Sequence, residues 1–199
     1  MADSVDVTDL RQTLAQPALD VAPRLLGATF THGAVTVRLT EVEAYDGPND
    51  PGSHAHRGRT ERNAVMFGPP GHLYVYFTYG MHHCCNVSCG PDGEASAVLL
   101  RAGEVVDGLD VARSRRPGSK DRDLARGPGR LCKAMGIDRA DNGLDLRDRL
   151  GLGPQVQEIS TGPRVGLRLA ADRAWRFWIT DEPTVSRYVA AKPRLRQGS

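Results

Sequence analysis

Residues 35–45 read VTVRLTEVEAY, an alternating run that is rich in β-branched side chains. This pattern predicts a β-strand. Because successive side chains of a strand point to opposite faces, Glu41, Glu43 and Tyr45 are expected to share one face. The strand leads into residues 46–63, which are polar and full of glycine and proline. We expect that segment to be a long loop, and loops of such length are often functional.

Glu41 and Glu43 are the first candidates for chemistry. A carboxylate beside an aromatic residue, at the end of a strand that enters a long loop, suits a general base. Two neighbouring carboxylates can also raise each other's pKa. The alternative is that both are exposed strand residues without a catalytic role, and the pattern alone leaves both interpretations open.

Two aromatic-rich runs, residues 73–79 and 81–88, follow the loop and predict a β-hairpin that turns at Gly80. Most of the aromatic side chains in the first run are expected to belong to the core. Tyr79 differs because it stands beside the turn, where a large side chain can project from a rigid hairpin. Such a side chain can wedge between base pairs and replace an extruded nucleotide.

Other periodic segments complete the predicted architecture. Apolar spacing favours a helix followed by a turn over residues 8–28, and two further helices at 105–116 and 124–136. Additional strands are expected at 95–102, 165–171 and 175–180. These elements predict a mixed α/β (α+β) fold: one domain spanning residues 1–199, with a curved antiparallel β-sheet, flanking helices and a protruding hairpin. The termini, 1–8 and 192–199, are expected to be flexible.

Charge is distributed unevenly along the chain. Residues 1–50 carry three basic and eight acidic side chains, whereas residues 113–149 carry eleven basic and six acidic ones. Such asymmetry indicates a nucleic-acid surface, or else only a solvated arginine-rich face. There is no apolar leader and no run of about 20 apolar residues that could span a membrane. We therefore expect a cytoplasmic protein with no membrane partner.

The cysteines and histidines raise the question of a metal site. Cys84, Cys85, Cys89 and Cys132 form neither a metal-type CxxC pair nor an obvious disulfide framework. Neighbouring residues of a strand point to opposite faces, so the run HHCC (82–85) cannot offer four ligands to one ion. A mixed site from His54, His56 and Cys85 remains the weaker alternative to a neutral, hydrogen-bonded His54 and a partly buried His83. We expect no metal and no cofactor.

Taken together, these segments resemble the alkyladenine (3-methyladenine) DNA glycosylase family. The matching stretches recur in the family's order between residues 24 and 181. They are EVEAYDGPND (41–50), SHAHRGRTERNAVMFGPPGHLYVYFTYGMHHCCNVS (53–88), AVLLRA (97–102), ARGPGRLCKAMGI (125–137) and GPRVGL (162–167). The chain departs from the family's pattern at His83, where an aromatic residue is usual. This departure affects the expected packing behind Tyr79, the side chain that is predicted to wedge between base pairs.

The resemblance implies a role for each matching side chain. Glu43 would be the general base that activates the attacking water. The pocket for the flipped base would consist of Tyr45, His54, Tyr76 and Asn86, the last excluding purines that carry a clashing amino group. Tyr79 would intercalate in the duplex. Contacts to the DNA backbone would come from Arg101, with Arg59 and Arg62 as weaker candidates.

The implied activity is that of a monofunctional DNA glycosylase. Such an enzyme flips alkylated or deaminated purines out of double-stranded DNA and hydrolyses the N-glycosidic bond, leaving an abasic site for base excision repair. Because residues 41–101 contain no lysine, water is favoured over an amine as the nucleophile. We expect a monomer that associates with the nucleoid when bound to DNA.

Two alternatives remain at this stage. A non-catalytic protein that binds damaged DNA would account for the arginines and aromatic residues, but would leave Glu43 beside Tyr45 without a purpose. A hydrolase of free nucleosides would need neither the projecting Tyr79 nor the basic segment at 113–149.

Overall fold

An eleven-residue strand, β2 (Val35–Tyr45), organises the computed structural model, which describes residues 7–78 and 80–191. It pairs with β1 (Thr29–His32) on one edge and β5 (Ala97–Asp107) on the other, all antiparallel. The sheet runs in the order β3 (Leu73–Thr78), β4 (His82–Ser88), β5, β2, β1 and β6 (Leu150–Gly151), and β8 (Arg176–Ile179) pairs with both β2 and β7 (Ile159–Gly162). The predicted antiparallel sheet with flanking helices is confirmed.

The described segments contain eight strands and four α-helices. The strands are β1 (Thr29–His32), β2, β3 (Leu73–Thr78), β4 (His82–Ser88), β5 (Ala97–Asp107), β6 (Leu150–Gly151), β7 (Ile159–Gly162) and β8 (Arg176–Ile179). The helices are α1 (Val7–Leu14), α2 (Ala18–Arg24), α3 (Leu109–Arg115) and α4 (Pro128–Met135).

One side of β2 faces the main hydrophobic core. Val35, Val37 and Leu39 are fully buried there, and the helices contribute residues such as Leu25 and Leu131. Alternating apolar side chains on a strand form one continuous face, and burying that face stabilises the sheet against the helices. The opposite face is therefore left to carry polar side chains.

Two irregularities in the β2–β5 pairing shape that polar face. The register skips Thr40 in β2 and then Arg101 in β5, so Glu41 pairs with Ala102 and Val42 with Leu100. Bulges of this kind redirect a side chain and bend the sheet. As a result, the guanidinium group of Arg101 lies against the carboxylates of β2.

Several sequence predictions need correction. The predicted helix at 8–28 is two helices, because Pro17 precedes α2 with an extended backbone. The helix predicted at 105–116 is wrong over 105–107, which complete β5; α3 begins only after Gly108, whose φ of 72° turns the chain. The strand predicted at 165–171 is also wrong, since Gly166 and Ala170 have positive φ angles and the segment forms turns.

Other predictions are confirmed or fall outside the described residues. Strand β2 has the predicted bounds, and residues 46–63 form a loop whose only regular element is a 3₁₀ turn at Gly47–Asn49. The hairpin predicted at 73–88 is present as β3 and β4. Val7 and Thr8 begin α1, whereas the rest of the predicted flexible termini, and Tyr79, lie outside the described residues. No helix among those described has the length and apolar character needed to cross a membrane.

Candidate active site

A cavity of about 720 Å³ opens on the polar face of the sheet. Its walls come from β2, β3, β4, β5, the loop after β2, the start of α4 and the segment around Val165. The lining residues include Glu43, Tyr45, His54, Tyr76, Cys84, Arg101, Arg130, Lys133 and Val165. Elements distant in sequence thus converge on one concave site.

Glu43 is a fully buried carboxylate that lines this cavity. Its Oε2 accepts a hydrogen bond from the hydroxyl of Tyr45 at 2.8 Å, and its Oε1 accepts one from the backbone N–H of Val165 at 2.7 Å. The Nη1 of Arg101 lies 3.3 Å from Oε1. A carboxylate offers about four lone-pair positions, so these three neighbours leave room for one further donor such as water.

Glu41 is also fully buried, but it does not line the cavity, and its carboxylate accepts four hydrogen bonds from neighbouring groups. Oε1 accepts from the Nε of Arg101 and the Nε of Arg176, both at 2.7 Å, and from the hydroxyl of Ser186 at 3.0 Å. Oε2 accepts from the backbone N–H of Ser186 at 2.7 Å. Burial by itself raises the pKa of Glu41, but the charges of Arg101 and Arg176 outweigh it, so the pKa is lowered. The interpretation of Glu41 and Glu43 as exposed strand residues is therefore wrong, and of the two only Glu43 remains open to a substrate.

Aromatic rings form the walls beside Glu43. The rings of Tyr45 and Tyr76 both border the cavity, and the ring of His54 meets that of Tyr76 edge-on at 4.6 Å. Burial, together with the charge of Glu43, raises the pKa of Tyr45 well above its ordinary value. The Tyr45 hydroxyl consequently stays protonated and acts as a donor to Glu43 throughout the physiological range.

His54 sits on the loop after β2, where its Nδ1 lies 3.1 Å from the hydroxyl of Tyr74. Desolvation by the surrounding side chains, followed by the charge of Arg62, lowers the pKa of His54. The lowered pKa favours the neutral ring, and the contact with Tyr74 agrees with the predicted hydrogen-bonded histidine.

A small recess of about 50 Å³ lies behind the aromatic walls and is bordered by Tyr45, His54, Tyr76 and Asn86. Its volume suits one or two water molecules, whose share of liquid volume is about 30 Å³ each. Asn86 is buried, and its side-chain amide donates to the carbonyl of Tyr74 at 3.2 Å. The amide is thus held rigidly at the inner end of the site.

A buried ion pair supports this side of the cavity. Arg164 contacts both carboxylate oxygens of Asp50, with Nη2 to Oδ1 at 2.7 Å, and both side chains are completely buried. Its guanidinium also lies over the Tyr45 ring, 4.6 Å from the centroid. Because Arg164 directly precedes Val165, the same pair links the loop that carries His54 to the amide that holds Glu43.

The mouth of the cavity is basic. Arg116, Arg130 and Lys133 line it, together with His82 and the N-terminal residues of α4. All three cations belong to the 113–149 segment whose excess of positive charge was evident in the sequence. A basic mouth above a buried carboxylate suits a polyanionic substrate that reaches inward with one group.

The thiol of Cys84 also lines the cavity. Burial, followed by the neighbouring Cys132, raises the pKa of Cys84 to about 12. A thiol with that pKa is neutral at physiological pH and is a poor nucleophile. Within the described part of the chain, no group of three or more His, Cys, Asp or Glu side chains is placed to hold a metal ion.

The sequence-predicted residues are distributed as follows. Glu43, Tyr45, His54, Tyr76 and Arg101 all border the main cavity, and Asn86 borders the recess. Arg101 is almost completely buried and is bonded to Glu41 and Ser186, so its predicted contact with a phosphate stays a prediction. Arg62 is exposed, with its guanidinium 5.8 Å from the centroid of the Tyr76 ring. Arg59 is exposed on the same loop and does not line the cavity.

Sequence reasoning missed several residues of the site. Val165 and Arg164 lie in the stretch 162–167, which matched the family pattern but suggested no role for its side chains or amides. Lys133 lies on α4, outside the range 41–101 in which the absence of lysine had been noted. The charge excess at 113–149 was the signal that could have identified the cationic mouth.

Comparison with known proteins gives a consistent result. A family model described as "Methylpurine-DNA glycosylase (MPG)" matches residues 12–183. The chain is 53% identical over 202 residues to a Streptomyces avermitilis protein, covering 94% of each chain. It is 58% identical over 180 residues to a Nocardia farcinica protein, covering 84% of this chain and 85% of the relative. Both relatives bear the name "Putative 3-methyladenine DNA glycosylase".

Proposed function

The chain belongs to the methylpurine-DNA glycosylase family, and from that premise we propose that it excises methylated purines from DNA with Glu43 as the general base. It is a hydrolase that acts on N-glycosyl bonds in DNA, of the 3-methyladenine DNA glycosylase type. The observation that carries the mechanism is the placement of Glu43, a buried carboxylate with one open acceptor position between two aromatic walls.

The reaction begins with a water molecule bound to the open position of Glu43. As the bond between C1′ and the purine nitrogen breaks, the sugar acquires oxocarbenium character. The carboxylate of Glu43 stabilises that positive charge and takes a proton from the water as its oxygen attacks C1′. Help from a general base contributes roughly 10²–10⁴-fold to such a rate.

One carboxylate is sufficient because of the nature of the leaving group. A 3-alkylated adenine or a 7-alkylated guanine already carries a positive charge and departs as a neutral molecule without an acid. Its cationic ring is attracted to the electron-rich faces of Tyr45 and Tyr76. Deaminated purines such as hypoxanthine are neutral and must be protonated to leave, so we propose that they are slower substrates.

We propose that the damaged nucleotide leaves the duplex to react. This proposal is supported by the burial of Glu43, whose carboxylate lines the cavity and is not exposed on the protein surface. Flipping costs a few kcal/mol, and stacking the base on an aromatic side chain recovers about 1–3 kcal/mol. We propose that Tyr79 fills the gap in the duplex and that Arg116, Arg130 and Lys133 contact the backbone phosphates. Asn86, held by Tyr74, would reject purines with a clashing amino group.

Lys133 bears on the choice of nucleophile. An exposed lysine at the cavity mouth could in principle form a Schiff base with the sugar and cut the strand. Glu43, by contrast, already has the buried carboxylate geometry that activates water. We propose that water is the nucleophile and that the product is an abasic site in an intact strand.

A non-catalytic protein that binds damaged DNA is the second candidate. It is supported by the basic mouth and the aromatic walls, neither of which requires chemistry. It does not account for Glu43, because burying a carboxylate costs stability, and a protein that only bound DNA would gain no function in return for that cost.

The direct test uses a duplex with a single 7-methylguanine, an undamaged duplex and free 7-methylguanosine. After incubation with the protein, alkaline treatment should cleave only the lesion-bearing strand, at the lesion. Binding without alkali-sensitive sites would support the non-catalytic candidate. Release of base from the free nucleoside at a similar rate would instead indicate a nucleoside hydrolase.

A further inference from the structure

Arg101 lies between the carboxylates of Glu41 and Glu43, and its contact with Glu41 is shorter than its contact with Glu43. Its Nε donates to Oε1 of Glu41 at 2.7 Å, and its Nη2 donates to the hydroxyl of Ser186 at 3.2 Å. Only Nη1 approaches Glu43, at 3.3 Å from Oε1. The guanidinium is therefore anchored on Glu41 and meets Glu43 with a single, longer contact.

We propose that Glu41 is a positioning residue for the reaction: by anchoring Arg101, it prevents a two-point ion pair between Arg101 and Glu43 and so preserves Glu43 as a base. This inference rests on the proposed function. Glu41 does not touch the substrate, because the cavity is lined by Glu43 and Arg101 but not by Glu41.

The physical reason lies in the geometry of arginine. A guanidinium group binds a carboxylate most strongly through two parallel N–H donors, and such pairs are about twice as strong as neutral hydrogen bonds. A Glu43 held in that way would lose its open acceptor position and much of its affinity for a proton. Glu41 and Ser186 occupy the Nε donor and one of the two N–H donors of Nη2, the edge of the guanidinium that would form a side-on two-point pair, and Glu43 is contacted through Nη1.

The groups around Glu41 stabilise the negative charge of its carboxylate. Its carboxylate accepts four hydrogen bonds, two of them from buried arginines, and its side chain is fully buried. Removal of one partner from a buried ion pair is usually strongly destabilising. A carboxylate in such surroundings stays ionised and its position is rigid.

Other titratable and charged side chains near Glu43 lie on β2 itself and on β8, β3 and β4. Tyr45 donates from β2 itself, and Tyr45 in turn is stacked by Arg164. Arg176 pairs with Glu43 in the β2–β8 register, while its Nε bonds to Glu41. The remaining neighbours are the hydroxyl of Tyr76 on β3 and the thiol of Cys84 on β4, both kept neutral by pKa values raised through burial.

This arrangement predicts effects of opposite sign for two variants. In Glu41→Gln, Arg101 loses its anchor and turns towards Glu43, so Glu43 becomes a weaker base. In Arg176→Met, Glu41 has a single arginine left and holds Arg101 more firmly, so Glu43 becomes a stronger base. A role of Glu41 in folding alone would produce no such reversal.

The experiment measures single-turnover excision of 7-methylguanine from a duplex as a function of pH. This lesion is already cationic, so the acidic limb of the profile reports on the base alone. For Glu41→Gln we expect the limb to move to lower pH by about one unit, because Arg101, which already lies 3.3 Å from Glu43, would gain a second contact with its charged form. We expect a plateau rate about tenfold lower, part of the roughly 10²–10⁴-fold that a general base contributes. Arg176→Met should move the limb to higher pH.

The matched control is Glu182→Gln. Glu182 is a carboxylate that pairs with Arg38 of β2 at 2.7 Å, near the same 184–186 segment, and this variant should keep the parental limb and plateau. In an Arg101→Met background, Glu41→Gln should have no additional effect on the limb, because the proposed influence passes through Arg101.

A folded Glu41→Gln with the limb and plateau of the parent would overturn the inference, even if its melting temperature were lower. If Glu41→Gln does not fold, Arg176→Met decides, since an unmoved limb or one shifted to lower pH would also overturn it. Failure of the proposed function is distinguishable, because then either the parent would not excise 7-methylguanine or Glu43→Gln would excise it at the parental rate, whatever the behaviour of the Glu41 variants.

Discussion

The backbone N–H of Val165 donates to Oε1 of Glu43 at 2.7 Å, although the two residues are 122 positions apart in the chain. This amide is a fixed donor that cannot rotate away, in contrast to a side chain. Together with the Tyr45 hydroxyl it fixes the plane of the carboxylate. The orientation of the proposed general base is therefore set by the fold before any DNA is bound.

Replacement of Tyr45 by phenylalanine tests the second of these donors. The variant keeps the ring but removes the hydrogen bond to Oε2 of Glu43, and loss of a donor to a carboxylate disfavours its charged form. We expect the acidic limb of the pH–rate profile to move to higher pH, with affinity for lesion-bearing duplex retained. Tyr45→Ala is the comparison, because loss of the ring should weaken binding by about 1–3 kcal/mol. Equal loss of affinity in both variants would contradict the two separate roles.

Asp50→Asn should destabilise the protein in a pH-dependent manner. Burial raises the pKa of Asp50, but the hydrogen bonds and charge of Arg164 outweigh it and lower the pKa below its ordinary value of 3.8. The ion pair thus contributes stability that is fully present above pH 3.8 and is lost as the pH falls through the lowered pKa. At pH 7 we expect the variant to lose about 3–5 kcal/mol of unfolding free energy, since Arg164 is left buried without its partner charge.

Urea titrations at pH 7 and at lower pH would measure this loss, and the difference between parent and variant should shrink below pH 3.8. Asp145→Asn is the control, because Asp145 pairs with Arg147 at a partly exposed position, where such pairs contribute about 0–1 kcal/mol. Equal losses of unfolding free energy in the two variants would show that the buried Asp50–Arg164 pair contributes no more to stability than the partly exposed Asp145–Arg147 pair.

The variant Lys133→Met tests whether water or the amine of Lys133 is the nucleophile. We expect the parent to form no covalent complex with lesion-bearing DNA when borohydride is added, and the variant to keep the rate of base removal in single turnover. Loss of one phosphate contact should reduce the slope of log affinity against log salt by about 1. If borohydride trapped a covalent complex with the parent but not with the variant, Lys133 and not water would be the nucleophile.

Tyr79→Ala tests the wedge predicted from the sequence. With a fluorescent reporter base beside the lesion, we expect a smaller rise in fluorescence on binding and weaker affinity for the duplex, because the vacated space is no longer filled. Met81, whose side chain is 70% exposed on the same hairpin, provides the comparison variant, Met81→Ala. A full fluorescence rise in Tyr79→Ala, with a reduced one in Met81→Ala, would transfer the wedge to Met81.

The local sequence pattern predicted those helices and strands whose structure depends mainly on their own side chains. Strand β2 has its predicted bounds because its alternation spans eleven residues, and the β3–β4 hairpin follows from two aromatic runs around Gly80. Short strands were harder: β1 and β7 have four residues each and owe their structure to pairing with β2 and β8. Gly108 and Gly166 reverse the chain where apolar periodicity alone had suggested a helix and a strand.

The site was only partly predictable for a related reason. Residue types and their order predict Glu43, Tyr45, His54 and Tyr76 as site residues, and all four lie within the one stretch of residues 43–76. The contact from Val165, the ion pair of Arg164 with Asp50 and the position of Lys133 depend on how distant segments pack. Whether a carboxylate such as Glu41 or Glu43 keeps a free acceptor position is also decided by tertiary contacts.

The most direct test of the central claim is the rate of 7-methylguanine excision by Glu43→Gln under single-turnover conditions, with duplex affinity measured in parallel. Glutamine keeps the size of the side chain and can accept hydrogen bonds, but it cannot take the proton from water. The account predicts parental affinity for the lesion-bearing duplex and a rate lowered by about 10²–10⁴-fold. Excision by the variant at the parental rate would contradict the assignment of Glu43 as the base.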